Sequence, residues 1–278
     1  MKTIDLKNFG IKIANNEKFV LIAGPCVLEM RNEAEYIAGF CKDLCRKHGI
    51  NYIFKASFDK ANRSSVDSFR GVGIENGLEI LAGIGQKFDL PITTDVHSVQ
   101  DIEMVGKVVD IIQIPAFLSR QTDILIAAAK TGKIVNVKKG QFLAPDDMQN
   151  VVSKIESQKN KNIILTERGS SFGYNNLVVD MKGIEKMKNT GYPVVFDATH
   201  SMQLPGGCGS FTGGEREYTV SLAKAALALG IAGIFMEVHP EPEKSPSDKT
   251  TIYPLAKLEE ALIKLKAIDD LIKEKRYF

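Results

Sequence analysis

The sequence predicts an α/β chain closed into a (β/α)8 TIM barrel with an N-terminal β-hairpin, residues 1–278 forming one domain and residues 1–15 the hairpin. Three observations predict it. Eight short β-rich apolar runs alternate with segments of helical period or turn chemistry, as repeated βα units require. No linker and no internal repeat divides the 278 residues, a length that at about 150 residues per domain leaves one large core as open as two ordinary ones. In five of the eight runs two polar residues recur at i, i+2 near the C-terminal end, and strand alternation turns each pair to one face.

In chain order, TIDLKNFGIKI alternates and turns at Asn8 to Gly10, the hairpin expected to plug one end of the barrel. The strand-like runs are Phe19–Cys26, Tyr52–Phe58, Pro91–His97, Asp110–Phe117, Lys133–Gly140, Asn162–Gly169, Pro193–His200 and Gly233–Pro240. After the first run, Asn32 and Glu35 have capping-box spacing, and Tyr36, Ile37, Phe40, Cys41, Leu44 and Cys45 form a stripe that closes at Gly49. That stripe puts Cys41 and Cys45 on a buried helix face rather than in a metal or redox pair. The last helix opens at Pro254 and packs through Leu255, Leu258, Leu262, Leu265, Ile268 and Leu271.

Composition narrows the function classes. Hydrophobic residues at 44% and charged residues at 25% exclude disorder, collagen and coiled coil. With 36 basic and 34 acidic residues the net charge is +2, which argues against nucleic acid or an anionic membrane as partner. No apolar stretch approaches the roughly 18 residues of a membrane span, and MKTIDLKNFG lacks the apolar core of a signal peptide, so a cytoplasmic location is expected. Four cysteines are too few to staple such a chain.

The polar pairs are Lys55 with Ser57, Asp95 with His97, Asn136 with Lys138, Thr166 with Arg168, and Glu237 with His239. If their common face is the barrel interior, they meet at the C-terminal mouth, where such barrels hold their active sites. The alternative for any single pair is a hydrogen bond that caps the core. Lys55, Lys60, Lys138 and Arg168 all end or follow strands in a nearly neutral chain, which implies an anionic guest carrying phosphate and carboxylate groups. Asn62, Arg63, Ser64 and Ser65 suggest a second anion locus at the start of a short helix, with plain capping by Ser64 or Ser65 as the competing reading. GVGIENG follows no apolar strand and is not read as a dinucleotide loop.

Barrel closure would also make neighbours of Cys26, His200 and Glu237, which end the first, seventh and eighth runs, with Asp248 in the following loop completing a set for a divalent transition metal. The donors do not select among zinc, iron and manganese. The competing reading packs Cys26 as a small hydrophobe and ties His200 to backbone. Because His200 and Asp197 have opposite phases, the seventh strand is taken to end near Ala198. The glycine- and proline-rich stretches 201–216 and 241–254 are expected to be lids, and Cys208 an incidental loop thiol.

The motifs GPCVLE, FKASFDKANRSS, TTDVH, IQIPAFLSRQTD, NVKKGQF, ERGSSFGYNNLVVDM, FDATHSMQLPGG and MEVHPEPEKSPSD, spread over nearly the whole chain, make it similar to the 3-deoxy-D-manno-octulosonate 8-phosphate synthase family. The resemblance implies a homotetrameric barrel enzyme that condenses phosphoenolpyruvate with D-arabinose 5-phosphate and water, releasing phosphate and an eight-carbon keto acid phosphate for lipopolysaccharide. It assigns Lys55, Ser57, Gln113, Ala116, Lys138 and Arg168 to phosphoenolpyruvate, and Lys60, Asn62, Arg63, Ser64 and Asp95 to the pentose phosphate. It further implies that Phe117 and Arg120 reach a neighbouring subunit's site. Cysteine at position 26, with His200, Glu237 and Asp248 in matching places, implies the metal-dependent kind, cobalt being a further candidate ion. SDKT after Pro246 departs from the family in lacking a glycine often found after that aspartate. In mechanism the resemblance casts Lys60 as polarising the aldehyde, Lys138 as gripping phosphoenolpyruvate, and His200 and Asp248 as serving the metal. The rivals are the related synthase acting on erythrose 4-phosphate, a Schiff-base aldolase using Lys55 or Lys138, and a non-catalytic sugar-phosphate sensor.

Overall fold

The structure, a computed structural model, describes residues 1–63, 65–206 and 213–275. Strands β1 (Ile4–Leu6) and β2 (Ile11–Ile13) form the expected antiparallel hairpin, with Ile4 opposite Ile13 and Gly10 at φ 65° closing the turn. The barrel strands are β3 (Val20–Gly24), β4 (Asn51–Lys55), β5 (Ile92–Asp95), β6 (Ile111–Ile114), β7 (Ile134–Lys138) and β8 (Ile163–Glu167). After two short strands, β9 (Ser170–Ser171) and β10 (Leu177–Val178), the ring continues with β11 (Val194–Asp197). The short antiparallel pair β12 (Gln203–Leu204) and β13 (Gly213–Gly214) follows, then β14 (Gly233–His239) and, beside its end, β15 (Tyr253–Pro254).

All eight barrel strands pair in parallel, and β14 lies between β11 and β3 with Phe196 beside Ile234 and Leu21 beside the same Ile234, so the sheet closes on itself. Seven of the eight apolar runs contain one of these strands whole, and the second, Tyr52–Phe58, holds all of β4 but Asn51. The connecting helices are α1 (Arg31–His48), α2 (Ile74–Phe88), α3 (Val99–Val108), α4 (Thr122–Lys130), α5 (Met148–Glu156), α6 (Met181–Lys188), α7 (Thr219–Leu227) and α8 (Leu258–Glu274).

Strands buried on both faces explain the nearly continuous apolar runs. One face of the sheet supplies Leu21, Phe54, Val135, Leu165 and Phe196 to the layer under the helices, where Ile37, Leu81, Val152 and Leu262 meet them. The other face supplies Ile22, Ile53, Ile111, Ile164, Val195 and Phe235 to the barrel interior. Ile4, Leu6, Ile11 and Ile13 of the hairpin join this second cluster, which makes the hairpin the plug of the N-terminal end. Apolar filling below leaves the polar strand ends above.

Several local expectations are corrected. Helix α1 is capped at Met30 without a side-chain bond, because the Asn32 side chain accepts only from the adjacent Glu33 N–H, so the Asn32/Glu35 capping box does not form. Its buried stripe is narrower than expected, with Tyr36 and Phe40 exposed and Cys41 and Cys45 inside. The reciprocal capping box belongs to Ser98 and Asp101 at the start of α3. Pro254 opens a single 3-10 turn ahead of α8, and Leu271 is half exposed. No helix begins at Asn62, Arg63 or Ser65; these lie in a loop, and α2 starts only at Ile74. Gly71 and Gly77, from GVGIENG, lie where an added Cβ would strike Phe58, which accounts for both as close packing.

Candidate active site

The C-terminal mouth encloses a cavity of about 680 Å³ lined by Lys55, Lys60, Asn62, Arg63, Asp95, Gln113, Ala116, Phe117, Lys138, Arg168, His200 and Asp248 among others. Strand ends supply Lys55, Asp95, Gln113 and Lys138, Arg168 directly follows β8, and the segments after the strands supply the rest. Alternation turns Lys55, Lys138 and Arg168 inward just above the apolar interior, as the i, i+2 pattern requires. Phe235 forms the floor, its ring 3.6 Å below the Lys138 ammonium and 5.5 Å from that of Lys55.

Two of the five polar pairs contribute to this mouth as expected. Lys55 Nζ donates to Ser57 Oγ at 2.8 Å and to Glu237 Oε1 at 3.0 Å, and Ser57 Oγ donates to Asp95 Oδ1 at 2.6 Å. His97 Nε2 lies 3.0 Å from the other Asp95 oxygen. Burial opposes ionisation of Asp95, yet Lys55 and His97 hold its carboxyl well below the usual range; burial likewise opposes protonation of His97, but Asp95 raises its pKa. Two further pairs divide. Thr166 Oγ1 donates to Asn136 Oδ1 at 2.7 Å inside the core, the capping alternative, while their partners Lys138 and Arg168 reach the cavity.

His239 corrects the fifth pair. It leaves the mouth and faces helix α1, with Nε2 3.3 Å from Glu33 Oε1; the pairing of β14 with β3 ends at Glu237, and Val238 and His239 pair with β15 instead. Glu29, Glu33 and His239 offer atoms within 4.8 Å of one another. They do not suit a metal: His239 Nδ1 accepts the Glu241 N–H at 2.9 Å, so the ring proton resides on Nε2, where a ligand would need a lone pair.

The other cluster suits one better. Cys26, Glu237 and Asp248 offer atoms within 4.8 Å of one another, and the thiol donates to Asp248 Oδ2 at 3.4 Å. Strand β11 ends at Asp197 and residues 200–202 make a 3-10 turn, so His200 escapes the phase conflict and swings inward. Asp197 Oδ2 lies 2.7 Å from His200 Nδ1 and holds the proton there. Nε2 faces Glu237 Oε2 (3.5 Å) and Asp248 Oδ2 (4.0 Å). Either a proton on Nε2 or a cation between it and these oxygens satisfies that geometry, and a carboxylate behind the imidazole is the usual support of a metal-bound histidine. Burial and Glu237 push the Cys26 thiol well up, so a proton, or a metal in its place, must sit on the sulfur. The donor set fits a divalent transition metal.

Charge balance shows what sequence reading missed. Lys138 Nζ donates to Asp197 Oδ2 at 2.5 Å, and Lys60 Nζ lies 3.7 Å from Glu237 Oε1. Burial lowers the pKa of Lys138 and of Arg168. Asp197 and Gln203 had no expected role; FDATH gave only a phase for the first, and Gln203 opens the two-residue β12, too short for alternation to show in sequence. Gln141, Ser245 and Ser247 also line the cavity unannounced. Arg63 donates to Ser247 Oγ at 2.8 Å and the Pro246 carbonyl at 2.6 Å, tying the loop after β4 to the loop after β14. Phe117 is half exposed at the cavity edge, whereas Arg120 is exposed and outside it. Ser64 and Cys208 lie outside the described residues.

A closed barrel whose mouth gathers buried lysines and an arginine beside a thiol, imidazole and carboxylate set defines an enzyme that works on small anionic substrates. The chain belongs to the DAHP synthetase I family, whose sequence model matches residues 2–274. It is 57% identical over 273 residues to the 2-dehydro-3-deoxyphosphooctonate aldolase of Rickettsia prowazekii, 98% of each chain. Enzymes of the same name from Fusobacterium nucleatum and Shewanella piezotolerans are 55% identical over 264 and 272 residues, covering 95% of both chains in the first case and 98% of this chain and 96% of the other in the second. No described helix is long and apolar enough to cross a membrane.

Proposed function

We propose that this chain condenses phosphoenolpyruvate with D-arabinose 5-phosphate and water, giving 3-deoxy-D-manno-octulosonate 8-phosphate and phosphate for lipopolysaccharide precursor synthesis. The observation that carries this reading is the division of cations around one cavity: Lys138 and Arg168 at the ends of β7 and β8, and Lys60 and Arg63 in the loop after β4, three and four strands away in the ring. Two separated anionic ends need two such groups.

In the reaction C3 of phosphoenolpyruvate forms the new carbon–carbon bond with the aldehyde carbon, water adds at C2, and phosphate leaves from C2. Lys138 and Arg168 grip the phosphate and carboxylate, with Lys55, Ser57, Gln113 and Ala116 completing that end. Lys60 directs its ammonium to the aldehyde oxygen; despite burial, the surrounding Cys26, Glu237, Asp95 and Asp248 raise its pKa well above the ordinary lysine value and keep it charged. Asn62, Arg63 and Asp95 hold the pentose phosphate. Such orientation supplies part of the roughly 7–11 kcal/mol available to well-aligned intramolecular reactions. A divalent metal held by Cys26, His200, Glu237 and Asp248, whether zinc, iron, manganese or cobalt, would add Lewis acidity at this end of the cavity.

The same reading makes the enzyme a cytoplasmic homotetramer in which Phe117 and Arg120 approach a neighbouring copy; the half-exposed Phe117 ring supports it. Phosphate release from phosphoenolpyruvate, measured with arabinose 5-phosphate and with erythrose 4-phosphate, tests the substrate assignment. At least tenfold higher kcat/KM for the pentose phosphate is expected; equal or better use of the tetrose would reject it.

A further inference from the structure

Arg168 differs from the other deep cations of the mouth in how it is held. Lys55, Lys60 and Lys138 each lie within 4.0 Å of a carboxylate. Among the described residues no carboxylate comes that close to the Arg168 guanidinium, although the group is 4% exposed. Its Nη2 donates instead to Gln203 Oε1 at 2.6 Å, and its Nη1 is buried without a hydrogen-bond partner.

The chemistry of that choice is specific. An amide oxygen accepts one N–H and fixes the guanidinium plane without cancelling its charge. A carboxylate in the same place would form an ion pair and compete with an incoming anion. The unsatisfied Nη1 is costly in the free protein and is relieved when an anion accepts from it. Gln203 also begins β12, whose Leu204 lies opposite Gly213 of β13. One contact therefore joins the β12–β13 pair to the orientation of a substrate-binding cation.

We propose that Gln203 is a positioning residue for phosphoenolpyruvate, acting through Arg168 by holding one arm of the guanidinium while leaving its charge and Nη1 for the substrate. This rests on the reading of Arg168 as a phosphoenolpyruvate ligand. The test compares Gln203→Leu and Gln203→Glu with Arg168→Ala in initial-rate assays against both substrates, alongside thermal unfolding.

Gln203→Leu is expected to raise KM for phosphoenolpyruvate about tenfold, the scale of one hydrogen bond to a charged group, with KM for the pentose phosphate and kcat within about twofold and the unfolding midpoint unchanged. Gln203→Glu is expected to raise KM for phosphoenolpyruvate further, because its carboxylate neutralises the arginine. An unchanged KM for phosphoenolpyruvate in both variants, equal shifts for both substrates, or a Glu variant no worse than Leu would overturn the proposal while a strong Arg168→Ala effect left the site reading intact. If Arg168→Ala itself leaves that KM unchanged, the site reading fails and the proposal with it.

Discussion

Asp95 and His97 show how a single residue's setting becomes a pH effect. His97 is mostly buried, its ring edge-on to Phe58 with centroids 5.5 Å apart, and its raised pKa comes from Asp95 overcoming desolvation. A histidine whose folded pKa lies above its unfolded value near 6.5 contributes stability that is complete below that value and disappears as pH rises through the folded pKa. Accordingly His97→Gln should unfold at lower urea concentration than the parent at pH 6, and the deficit should shrink as pH is raised to 9. Urea titrations across that range measure it; a deficit that grows with pH would contradict the assignment. Residues of this kind were partly legible. Alternation in TTDVH aimed both side chains together, but only the fold shows that Ser57 fills the remaining oxygen of Asp95.

At the scale of elements, the loops behind the mouth depend on a second buried pair. Lys139 and Glu167 face away from the cavity, one residue beyond or before the substrate-facing Lys138 and Arg168. Lys139 Nζ lies 3.6 Å from Glu167 Oε1 and donates to Ser170 Oγ at 2.9 Å, while that Glu167 oxygen accepts the N–H groups of Arg168 (3.0 Å) and Gly169 (2.6 Å). Burial lowers the lysine pKa and raises that of the glutamate, so each ion tolerates its site mainly through the other. Lys139→Met should therefore cost about 3–5 kcal/mol of unfolding free energy by stranding Glu167, and adding Glu167→Gln should recover most of it. Equal stability of the single and double variants in denaturant melts would show that the pair is not coupled. Neither residue stood out in NVKKGQF or TERGS, because strand phase reveals which way a side chain points and not what packs against its outer face. The same limit explains the misplaced helix start at Asn62: capping residues are as common in turns, and the loop's geometry is set by Arg63 reaching Ser247, a contact 184 residues distant.

The whole molecule was the most legible level, since eight buried parallel strands leave repeated apolar runs that few other architectures share. Closure between β14 and β3 then converts sequence distance into proximity, which is how Cys26 and Asp248, 222 residues apart, come to share a hydrogen bond. What the runs could not reveal is where the chain departs from strand geometry after β11 and β14. The turn at residues 200–202 brings His200 into the cluster, and the passage of β14 from β3 to β15 after Glu237 accompanies the exit of His239 from it.

The most direct test of that convergence is phosphate release, in the presence of both substrates, by protein stripped with a chelator and assayed for bound metal. Activity should fall at least a hundredfold on stripping and return with one equivalent of a divalent transition metal, while a Cys26→Ser protein should neither retain the ion nor recover. Full turnover by protein shown to be metal-free would contradict a metal centre built across the barrel seam.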